Sequence, residues 1–308
     1  MEKFGIGKAS GKIILMGEHA VVYGQPAIAV PFLATKVMVS VKASQEDFIT
    51  SLYYDGPTAF APESLANILQ AFFLAKKRVG ITSGLLCKIE SSIPPERGMG
   101  SSAAVANAVI RAVFDYQKVD LSQEELAEIA NEAEIIAHGN PSGIDQATTA
   151  SNRPIEYAKN SLFCPFSINC EGFLLVADSK LKGRTREIVQ NVATLLKEQP
   201  EKKHLIENLG KCTLQLKACL QSNQVENAAN IMEKAQDYLS ELKVSHPVLD
   251  HMLALGKNFG ALGGKLTGGG GGGCVIFLAK NLTDAENIKE HLIQAGYPTW
   301  IQDLREFT

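Results

Sequence analysis

Apolar positions in the early part of the chain follow the two-residue period of a strand in some stretches and the spacing of a helix in others. Short apolar or alternating runs predict strands at residues 12–16, 27–30, 36–41 and 85–93. Apolar side chains at helical spacing predict a helix over residues 63–79. Because several of these strands are short and half-buried, we expect them to form an antiparallel sheet.

Two long helical patterns follow, and the second half of the chain then mixes strands and helices again. The first helix is predicted to begin at the serine pair 101–102 and the second after Ser122, which is a good N-terminal cap. From Gly172 the pattern runs through a strand, several helices up to about residue 258, two strands separated by glycines, a helix and a last strand near residues 297–302. This mixture predicts an α+β fold.

The length of the chain, 308 residues, is enough for one large domain or two ordinary ones. The restart of the pattern at Gly172 predicts two domains, residues 1–170 and residues 171–308. No proline- or serine-rich stretch marks a linker between them. We therefore expect the two domains to share a large interface, with a cleft between them that binds a ligand.

The composition, 45% apolar and 20% charged, is that of a folded globular protein rather than a disordered one. Lysine and arginine number 30 against 33 aspartates and glutamates, and this net charge of -3 argues against a nucleic-acid partner. No run of about 18 apolar residues predicts a membrane span, and the N-terminus has no basic and apolar leader. We therefore expect a cytoplasmic protein without a membrane partner. Six cysteines without a C-x-x-C pair predict neither a disulfide framework nor a zinc site.

The strongest chemical signal is the segment PPERGMGSSAA at residues 94–104. Gly98 and Gly100 allow the backbone to pass close to a ligand, and a helix that opens at Ser101 points its free N–H groups and the positive end of its dipole at one spot. That spot suits a phosphate group. The alternative is a tight turn in which a serine caps the helix, and the alanines behind the serines, which allow close packing, favour the phosphate site.

Two better-known phosphate loops match this chain poorly. The P-loop requires a glycine five positions before the glycine-lysine pair, but Ile6 stands there, before Gly11 and Lys12. The dinucleotide fingerprint G-x-G-x-x-G/A matches residues 98–103, yet a turn rather than a strand leads into it.

A second signal is the segment AEIIAHGNPSGID at residues 133–145, which ends a helix at Gly139 and presents Asp145 after a turn. An aspartate among small and apolar neighbours is suited to act as a base for an alcohol. Glu134 and His138 lie four residues apart on one helix face, so they form either a metal pair or an ordinary surface contact.

Two further signals are a lysine in a strand and a run of glycines. Lys12 stands among apolar residues, where a buried ammonium needs a carboxylate, and Glu18 or Asp145 could supply it. A lysine that extends to solvent at a strand edge is the alternative. Residues 268–273 are all glycine. Because strands flank this run, we interpret it as a hairpin loop that a substrate or phosphate approaches, rather than as a flexible linker.

Four segments, in order along the chain, resemble the motifs of the GHMP small-molecule kinases. They are GKIILMGEHAVVYGQPAIAV (11–30), PPERGMGSSAAV (94–105), EIIAHGNPSGIDQ (134–146) and KLTGGGGGGCVI (265–276). One position departs from the family pattern, because Gly269 replaces the alanine of the usual T-G-A-G-G loop, and we expect from it only a looser loop. Within the family, the segment HGNPSGID is most similar to the members that phosphorylate mevalonate.

The resemblance implies an α+β fold with two domains: an N-terminal α/β domain with a mixed or antiparallel sheet and helices, and a C-terminal ferredoxin-like domain, with ATP in the cleft between them. The residues implied to hold ATP are Pro94, Pro95, Glu96, Arg97, Gly98, Met99, Gly100, Ser101, Ser102, Ala103 and Ala104. The implied ligands of Mg²⁺ are Ser102 and Glu134.

The catalytic residues implied by the resemblance are Asp145 and Lys12. Asp145 resembles the base that takes the proton from the C5 hydroxyl of mevalonate, and Lys12 would steady the charge on the moving phosphoryl group. The residues implied to contact the substrate are Glu18, His19, Asp145, Arg186, Thr267 and Gly268. Arg186 is assigned to the substrate carboxylate because a guanidinium presents a planar fork, and a surface arginine at a helix start is the alternative.

The function implied by the resemblance is the ATP-dependent phosphorylation of mevalonate to 5-phosphomevalonate in isoprenoid precursor synthesis. The alternatives left open are phosphorylation of phosphomevalonate or of another alcohol such as a sugar, and a catalytically silent ligand sensor with the same fold. The sequence also leaves open whether the protein is a homodimer.

Overall fold

The three-dimensional structure is a computed structural model that describes residues 3–138, 143–151, 153–158 and 163–307. The turn that precedes Asp145 falls largely on residues 139–142, which lie outside the described residues, as does the side chain of His138.

Strands occupy both ends of the chain, and most of the helices lie between them. The strands in the described ranges are β1 (Phe4–Met16), β2 (Ala27–Ala43), β3 (Phe48–Thr50), β4 (Asp55–Pro57), β5 (Leu85–Ser91), β6 (Ile155–Tyr157), β7 (Cys164–Pro165), β8 (Phe173–Asp178), β9 (Gly263–Thr267), β10 (Cys274–Ala279) and β11 (Thr299–Asp303). The α-helices there are α1 (Ala66–Arg78), α2 (Ser101–Gln117), α3 (Gln123–His138), α4 (Ile144–Ala150), α5 (Thr185–Glu198), α6 (Lys203–Gln221), α7 (Val225–Glu241), α8 (Pro247–Asn258) and α9 (Leu282–Gln294).

The two long helices of the first half begin where their sequence signals stand. α2 begins at Ser101, and before α3 the hydroxyl oxygen of Ser122 accepts a hydrogen bond from the N–H of Glu125 at 3.1 Å. The first two strands are longer than predicted. The part of β1 that was not predicted has glycines at most of its buried positions, and residues 31–35, which join the two predicted runs of β2, begin with Pro31. Glycine and proline are signals of a turn rather than of a strand.

The chain divides into two compact units. Unit 1 consists of Met1–Lys12, Pro31–Pro95 and Met99–Asn152, and unit 2 consists of Ile13–Val30, Glu96–Gly98 and Arg153–Thr308. β1 and β2 each belong partly to unit 1 and partly to unit 2, so the units exchange segments along the chain. The predicted division of the chain between residues 170 and 171 stays a prediction.

The described residues of unit 1 form a mixed sheet and the helices α1 to α4. β4, β3, β5 and β2 are hydrogen-bonded in that order, and β1 pairs with β2. β3 and β5 run parallel, whereas β2 and β5, and β3 and β4, run antiparallel. α1, α2 and α3 pack against one another, and α4 packs against α2 and α3. α2 is largely buried, as its many small residues allow.

Two glycines of β1 allow this strand to approach α2 closely. A Cβ on Gly7 would lie 1.9 Å from the carbonyl oxygen of Ala108, and a Cβ on Gly5 would lie 2.2 Å from the carbonyl oxygen of Ala112. Any larger residue would collide with the helix backbone. The helix that carries the serine pair at its N-terminus is therefore held against β1 by a contact that only glycine permits.

Unit 2 contains a four-stranded antiparallel sheet with the order β11-β8-β10-β9. The central strands β8 and β10 are buried along nearly their whole length, as their apolar sequences predict. The chain reaches β9 from β8 through α5 to α8 and reaches β11 from β10 through α9, and α7, α8 and α9 pack against the sheet. This order of strands and helices confirms the predicted ferredoxin-like fold. None of the helices in the described ranges is both long and apolar enough to cross a membrane.

Candidate active site

Lys12 and Asp145, which lie far apart in the sequence, form an ion pair in unit 1. Nζ of Lys12 is 2.8 Å from Oδ1 of Asp145, and the lysine side chain is 3% exposed while the aspartate side chain is 40% exposed. Lys12 lies in β1, where its N–H donates to the carbonyl of Met99 at 2.9 Å, and Asp145 lies in the first turn of α4. A buried cation thus meets a carboxylate that remains partly open to solvent.

The side chain of Lys12 passes next to the start of α2. Gly100, which precedes the helix, has φ 69°, and a Cβ there would lie 2.7 Å from Cγ of Lys12 and 3.2 Å from Cγ2 of Thr149. Glycine meets both requirements, the left-handed backbone and the close approach of the lysine. Lys12 therefore lies beside the N-terminus of a 17-residue helix, whose first N–H groups and dipole favour an anion.

The serine pair is also contacted from α1, by Asn67. Nδ2 of the buried Asn67 side chain donates to Oγ of the exposed Ser102 at 3.1 Å. Oδ1 of Asn67 has no hydrogen-bond partner among the described residues. A hydroxyl oxygen that accepts one hydrogen bond keeps a second lone pair, so Asn67 orients Ser102 without exhausting it as a ligand.

Glu134 in α3 is a second acidic group that interacts with Asp145. Burial raises the pKa of Glu134, the negative charge of Asp145 raises it further, and the side chain of Gln146 acts in the opposite direction. Within the described part of the chain, Oε2 of Glu134 is buried without a hydrogen-bond partner. A carboxylate oxygen in this state is stabilised by a proton or by a cation.

In unit 2, Glu18 pairs with Lys265 and not with Lys12. Both side chains are 0% exposed. The ammonium of Lys265 donates to Oε1 of Glu18 and, at 2.6 Å, to the carbonyl of Leu266. Burial lowers the pKa of Lys265, and the carboxylate of Glu18 opposes that change. Of the two partners that the sequence offers for Lys12, the structure selects Asp145.

His19, the next residue, stands in a strained turn. Its φ is 59° and its ψ is -42°, and the N–H of Ala20 donates to the carbonyl of Glu18 at 2.6 Å, which closes a three-residue γ-turn. Residues other than glycine rarely adopt such a backbone, and those that do cluster at functional sites. Nε2 of His19 lies 3.0 Å from the carbonyl oxygen of Gly269. Burial lowers the pKa of His19, the hydrogen bond with Gly269 raises it, and the charge of Lys265 lowers it.

The glycine run forms the hairpin loop between β9 and β10, as predicted. Thr267 ends β9, and its hydroxyl donates to the carbonyl of Ile14 at 2.8 Å. Gly268 follows with φ 80°. A Cβ on Gly269 would lie 2.1 Å from Oγ1 and 2.7 Å from Cα of Thr185. Thr185 thus occupies the space that an alanine methyl at 269 would need. The looser loop expected from the sequence stays a prediction.

Part of the predicted ATP loop, Glu96–Gly98, belongs to unit 2 and is anchored there by charged groups. Nε of Arg97 is 3.0 Å from Oδ1 of Asp178 at the end of β8, and a terminal nitrogen of Arg97 donates to the carbonyl of Lys180 at 3.1 Å. Glu96 pairs with Lys182 at 2.5 Å in an exposed position. The segment from Met99 onward belongs to unit 1. Because Pro95 also belongs to unit 1, the chain passes from unit 1 to unit 2 and back to unit 1 inside this loop.

Arg186 is exposed in the first turn of α5. It lines a cleft of about 1010 Å³ within unit 2, together with Lys182, Arg184, Glu187 and His246. Two of these basic side chains have carboxylate partners, since Lys182 pairs with Glu96 and Arg184 lies 3.9 Å from Glu187, so the positive charge of the cleft is partly compensated. The choice of Arg186 over its basic neighbours for the substrate carboxylate stays a prediction.

Comparison with known sequences identifies the family. The sequence profile of the GHMP kinases N terminal domain matches residues 66–153, and the GHMP kinases C terminal profile matches residues 216–299. The mevalonate kinase of Pyrococcus abyssi (strain GE5 / Orsay) is 32% identical over 303 residues, which cover 91% of this chain and 90% of that protein. The chain belongs to the GHMP kinase family.

Two solved structures of kinases resemble this one along almost the whole chain. The mevalonate kinase of methicillin-resistant Staphylococcus aureus MRSA252 is 34% identical, with a TM-score of 0.79 that covers 98% of this chain and 99% of that one. The phosphomevalonate kinase of Streptococcus pneumoniae, solved with phosphomevalonate and AMPPNP, is 17% identical, with a TM-score of 0.81 over 97% of this chain and 99% of that one. The second likeness is one of fold alone.

Mg²⁺ is the metal that the resemblance implies for this GHMP kinase. No group of three or more His, Cys, Asp or Glu side chains that could hold a metal occurs in the described ranges. Mg²⁺ does not need such a group, because it keeps several waters and binds one or two protein oxygens together with phosphates. The unpartnered Oε2 of Glu134 and the hydroxyl of Ser102 are oxygen donors of this kind, so these residues fit the metal.

Three contacts of this GHMP kinase site were not found by sequence reasoning. Lys265 carries the same signal as Lys12, a lysine next to apolar strand residues, and the glycine run that follows it hides this signal. Asn67 lies in a helical pattern in which an asparagine carries no signal. The anchoring of Arg97 by Asp178 joins residues that are 81 positions apart, and nothing local in either segment indicates it.

Proposed function

We propose that this GHMP kinase transfers the γ-phosphoryl group of ATP to the C5 hydroxyl of mevalonate and forms 5-phosphomevalonate. The observation that carries the proposal is the ion pair of the buried Lys12 with the half-open Asp145, beside Gly100 at the N-terminus of α2. A base for an alcohol, a fixed cation and an anion-binding helix end are the parts that phosphoryl transfer needs.

Asp145 acts as the base. Its carboxylate accepts the proton of the attacking hydroxyl as the oxygen forms its bond to phosphorus, and its partial exposure leaves room for the alcohol. Lys12 holds the carboxylate in place at 2.8 Å. The same ammonium steadies the negative charge of the phosphoryl group as it moves from ADP to the alcohol.

The ATP loop, residues 94–104, binds the phosphates through its backbone. The N–H groups at the start of α2 have no partner within the helix, and they point at the same region as the helix dipole. Ser102 and Glu134 are the residues that would hold Mg²⁺, which neutralises phosphate charge when it is bound. Asn67 keeps the hydroxyl of Ser102 oriented.

The choice of mevalonate as the alcohol rests on relatives and on unit 2. The relatives named mevalonate kinase at 32% and 34% identity cover at least nine-tenths of the chain. Glu18, His19, Thr267 and Gly268 are the residues assigned to contact the substrate, and Arg186 in the basic cleft is assigned to its carboxylate.

The test is a panel of alcohols assayed for ADP release. Purified chain, ATP and Mg²⁺ are combined with mevalonate, phosphomevalonate, galactose or homoserine, and the product is identified by mass spectrometry. We expect mevalonate to be used with kcat/KM at least about 100-fold above every other alcohol, because a site built to bind particular polar groups rejects compounds that lack them. Preference for another alcohol would show that mevalonate is not the substrate. If no alcohol gives ADP release, the result would favour a catalytically silent ligand sensor.

The remaining expectations about partners stay predictions. They are a cytoplasmic location, the absence of nucleic-acid and membrane partners, and a homodimer as an open alternative. Gel filtration with light scattering measures the last of these directly.

A further inference from the structure

Lys265 is a fully buried lysine in β9, a strand of the ferredoxin-like sheet. Taking an ammonium out of water costs several kcal/mol, and a buried ion pair is often no better for stability than apolar residues of similar size. Stability of the fold therefore gives no sufficient reason for a lysine here. Its contacts suggest another reason, because the ammonium donates to Glu18, one of the residues assigned to the substrate.

The two carboxylate oxygens of Glu18 differ in their hydrogen bonding. Oε1 accepts the hydrogen bond from Lys265. Oε2 is buried and has no hydrogen-bond partner among the residues that the structure describes. A buried acceptor in this state lacks the hydrogen bond that it would make in water, and a ligand that brings a donor restores it.

His19 has a second buried atom without a hydrogen-bond partner among the described residues. A carbonyl oxygen only accepts hydrogen bonds, so Nε2 of His19, 3.0 Å from the carbonyl of Gly269, carries the proton. Burial lowers the pKa of His19, which favours the neutral ring, and a neutral ring protonated at Nε2 has its lone pair on Nδ1. Nδ1 is buried and has no partner in the described part of the chain. Oε2 of Glu18 and Nδ1 of His19 are therefore both hydrogen-bond acceptors.

We propose that Lys265 is a positioning residue of the substrate site: it holds one oxygen of Glu18 so that the other oxygen accepts a hydrogen bond from a hydroxyl group of the substrate. This inference rests on the proposed function. Mevalonate has two hydroxyl groups and one carboxylate. Asp145 takes the proton of the C5 hydroxyl, and the carboxylate brings no donor at neutral pH, so the C3 hydroxyl is the group that Glu18 binds. Nδ1 of His19 is a second acceptor available to it.

The first test is a double-mutant cycle. Lys265→Met, Glu18→Gln and the double variant are compared in separate titrations of mevalonate and of ATP. Lys265→Met is expected to raise KM for mevalonate about 10-fold or more, as for a lost hydrogen bond to a charged group, and to change KM for ATP less than about twofold. In the Glu18→Gln background the same change is expected to alter KM for mevalonate less than about twofold, because Lys265 acts through Glu18.

The cycle also covers the case in which one variant does not fold. Lys265→Met leaves a buried carboxylate without its cation, and such a chain can be too unstable to assay. Glu18→Gln likewise leaves the buried Lys265 without a carboxylate, but burial lowers the pKa of this lysine, so it can lose its proton. The double variant buries no charge at either position. Glu18→Gln and the double variant are expected to have the same KM for mevalonate within about twofold. If the second mutation raises KM for mevalonate in both backgrounds by the same factor, or raises KM for ATP equally, the positioning role is wrong.

The second test removes the hydroxyl from the substrate. 5-Hydroxy-3-methylpentanoate keeps the carboxylate and the C5 hydroxyl of mevalonate and lacks the C3 hydroxyl. The unchanged chain is expected to use it with kcat/KM about 100-fold lower than mevalonate, and the Glu18→Gln chain with a penalty at least about 10-fold smaller. An equal penalty in both chains would overturn the assignment of the C3 hydroxyl to Glu18.

A matched control and the panel separate this inference from the proposed function. Lys280→Met removes a lysine whose ion pair with Glu226, at 2.6 Å, lies on the surface, and it is expected to leave both KM values unchanged. If the unchanged chain prefers another alcohol, the proposed substrate is wrong, and the cycle run with that alcohol still tests Lys265. If mevalonate is used and the cycle is additive, only the inference about Lys265 fails.

Discussion

Lys12 and Asp145 differ greatly in their contact with water, although they form one ion pair. The lysine ammonium is almost fully buried, so it depends on the aspartate for compensation of its charge, whereas the half-exposed aspartate is free to meet a second group. This asymmetry suits a base whose partner stays fixed while an alcohol arrives and leaves.

Replacing this base is the most direct test at the residue scale. Asp145→Ala is expected to lower kcat by about 1,000-fold or more, because the hydroxyl loses its proton acceptor and Lys12 loses its partner. The measurement is steady-state ADP release at saturating mevalonate and ATP. Asp120→Ala, at an exposed position, serves as the control with unchanged kcat. Full activity of the Asp145 variant would show that another group takes the proton.

The raised pKa of Glu134 has a consequence for stability. A folded-state pKa above that of the unfolded chain means that the charged carboxylate is disfavoured by folding, so its cost is present above the folded-state pKa and disappears as pH falls to the unfolded value. Glu134→Gln is therefore expected to raise Tm at neutral pH by about 1 to 3 °C, with the difference vanishing in mild acid.

The same variant is expected to bind Mg²⁺-nucleotide more weakly, because the amide is a poorer ligand than the carboxylate. Thermal unfolding across pH, without and with Mg-ATP, measures both effects. The assignment of Glu134 as a metal ligand whose charge is disfavoured by burial would be contradicted by either of two results. One is a variant that is less stable than the unchanged chain at neutral pH, and the other is a variant that binds Mg²⁺-nucleotide with the same affinity as the unchanged chain.

Sequence reasoning at this scale identifies the residues better than their pairing. The signal of a lysine in an apolar strand predicts correctly that Lys12 needs a carboxylate, and it leaves Glu18 and Asp145 as equal candidates. The choice depends on Lys265, which engages Glu18 from 247 positions away. Pairing of this kind is decided by the fold, because both lysines satisfy the same local pattern.

Among the elements, α2 connects the fold to the chemistry. Its N-terminus carries the serine pair, and its middle is pressed against β1 at Gly5 and Gly7. Gly7→Ala is expected to destabilise the chain by about 2 kcal/mol or more, because a methyl group would overlap the carbonyl oxygen of Ala108. Urea unfolding measures the loss.

The control for this prediction is a glycine in open space. A Cβ on Gly183 meets nothing within 4 Å, so Gly183→Ala is expected to change the free energy of unfolding by less than about 1 kcal/mol. Equal stability of the Gly7 and Gly183 variants would mean that β1 and α2 can separate without loss.

The ATP loop depends on an element that the motif does not include. Arg97 is held by Asp178 at the end of β8. Without the guanidinium the loop has more conformational freedom, and part of the free energy of nucleotide binding is then used to order it. Arg97→Ala is expected to raise KM for ATP about 3- to 10-fold and to leave KM for mevalonate nearly unchanged. The control is Arg305→Ala, which breaks the ion pair of the exposed Arg305 with Asp303. A shift of both KM values together would assign Arg97 to general stability instead.

Elements with strong local signals were predicted well from the sequence. Serines, glycines and apolar runs mark these elements locally in the sequence. The elements are the start of α2, the cap of α3, the apolar strands β8 and β10, and the glycine hairpin. β1 and β2 are longer than predicted, because the buried glycines of β1 and Pro31 inside β2 are local signals of a turn, and only the pairing with other strands overrides them.

At the scale of the whole molecule, the chain crosses between the two units several times, and one crossing lies directly after Lys12. Sequence patterns predict the order of the two halves but not this exchange, since it rests on contacts between distant segments. Residues 13–30 supply unit 2 with Glu18 for Lys265, His19 for Gly269 and a carbonyl for Thr267.

A fragment of residues 171–308 lacks that segment. Although it contains the ferredoxin-like sheet, it leaves Lys265 buried without a carboxylate, so we expect it to unfold at lower urea than the full chain and with reduced cooperativity. Urea titrations followed by circular dichroism compare the two. An unfolding midpoint equal to that of the full chain would show that the second half folds independently.

Gly269 and Thr185 also restrict which mutations the loop accepts. Where alanine stands in the family's usual loop, the present structure has the threonine side chain. With Thr185 in place, a change of Gly269 to alanine is blocked by collision. A smaller side chain at 185 does not remove this collision, because a Cβ at 269 would also lie 2.7 Å from Cα of residue 185. A library that aims to restore alanine at 269 therefore has to vary the residues that set the backbone path around 185, and not position 185 alone.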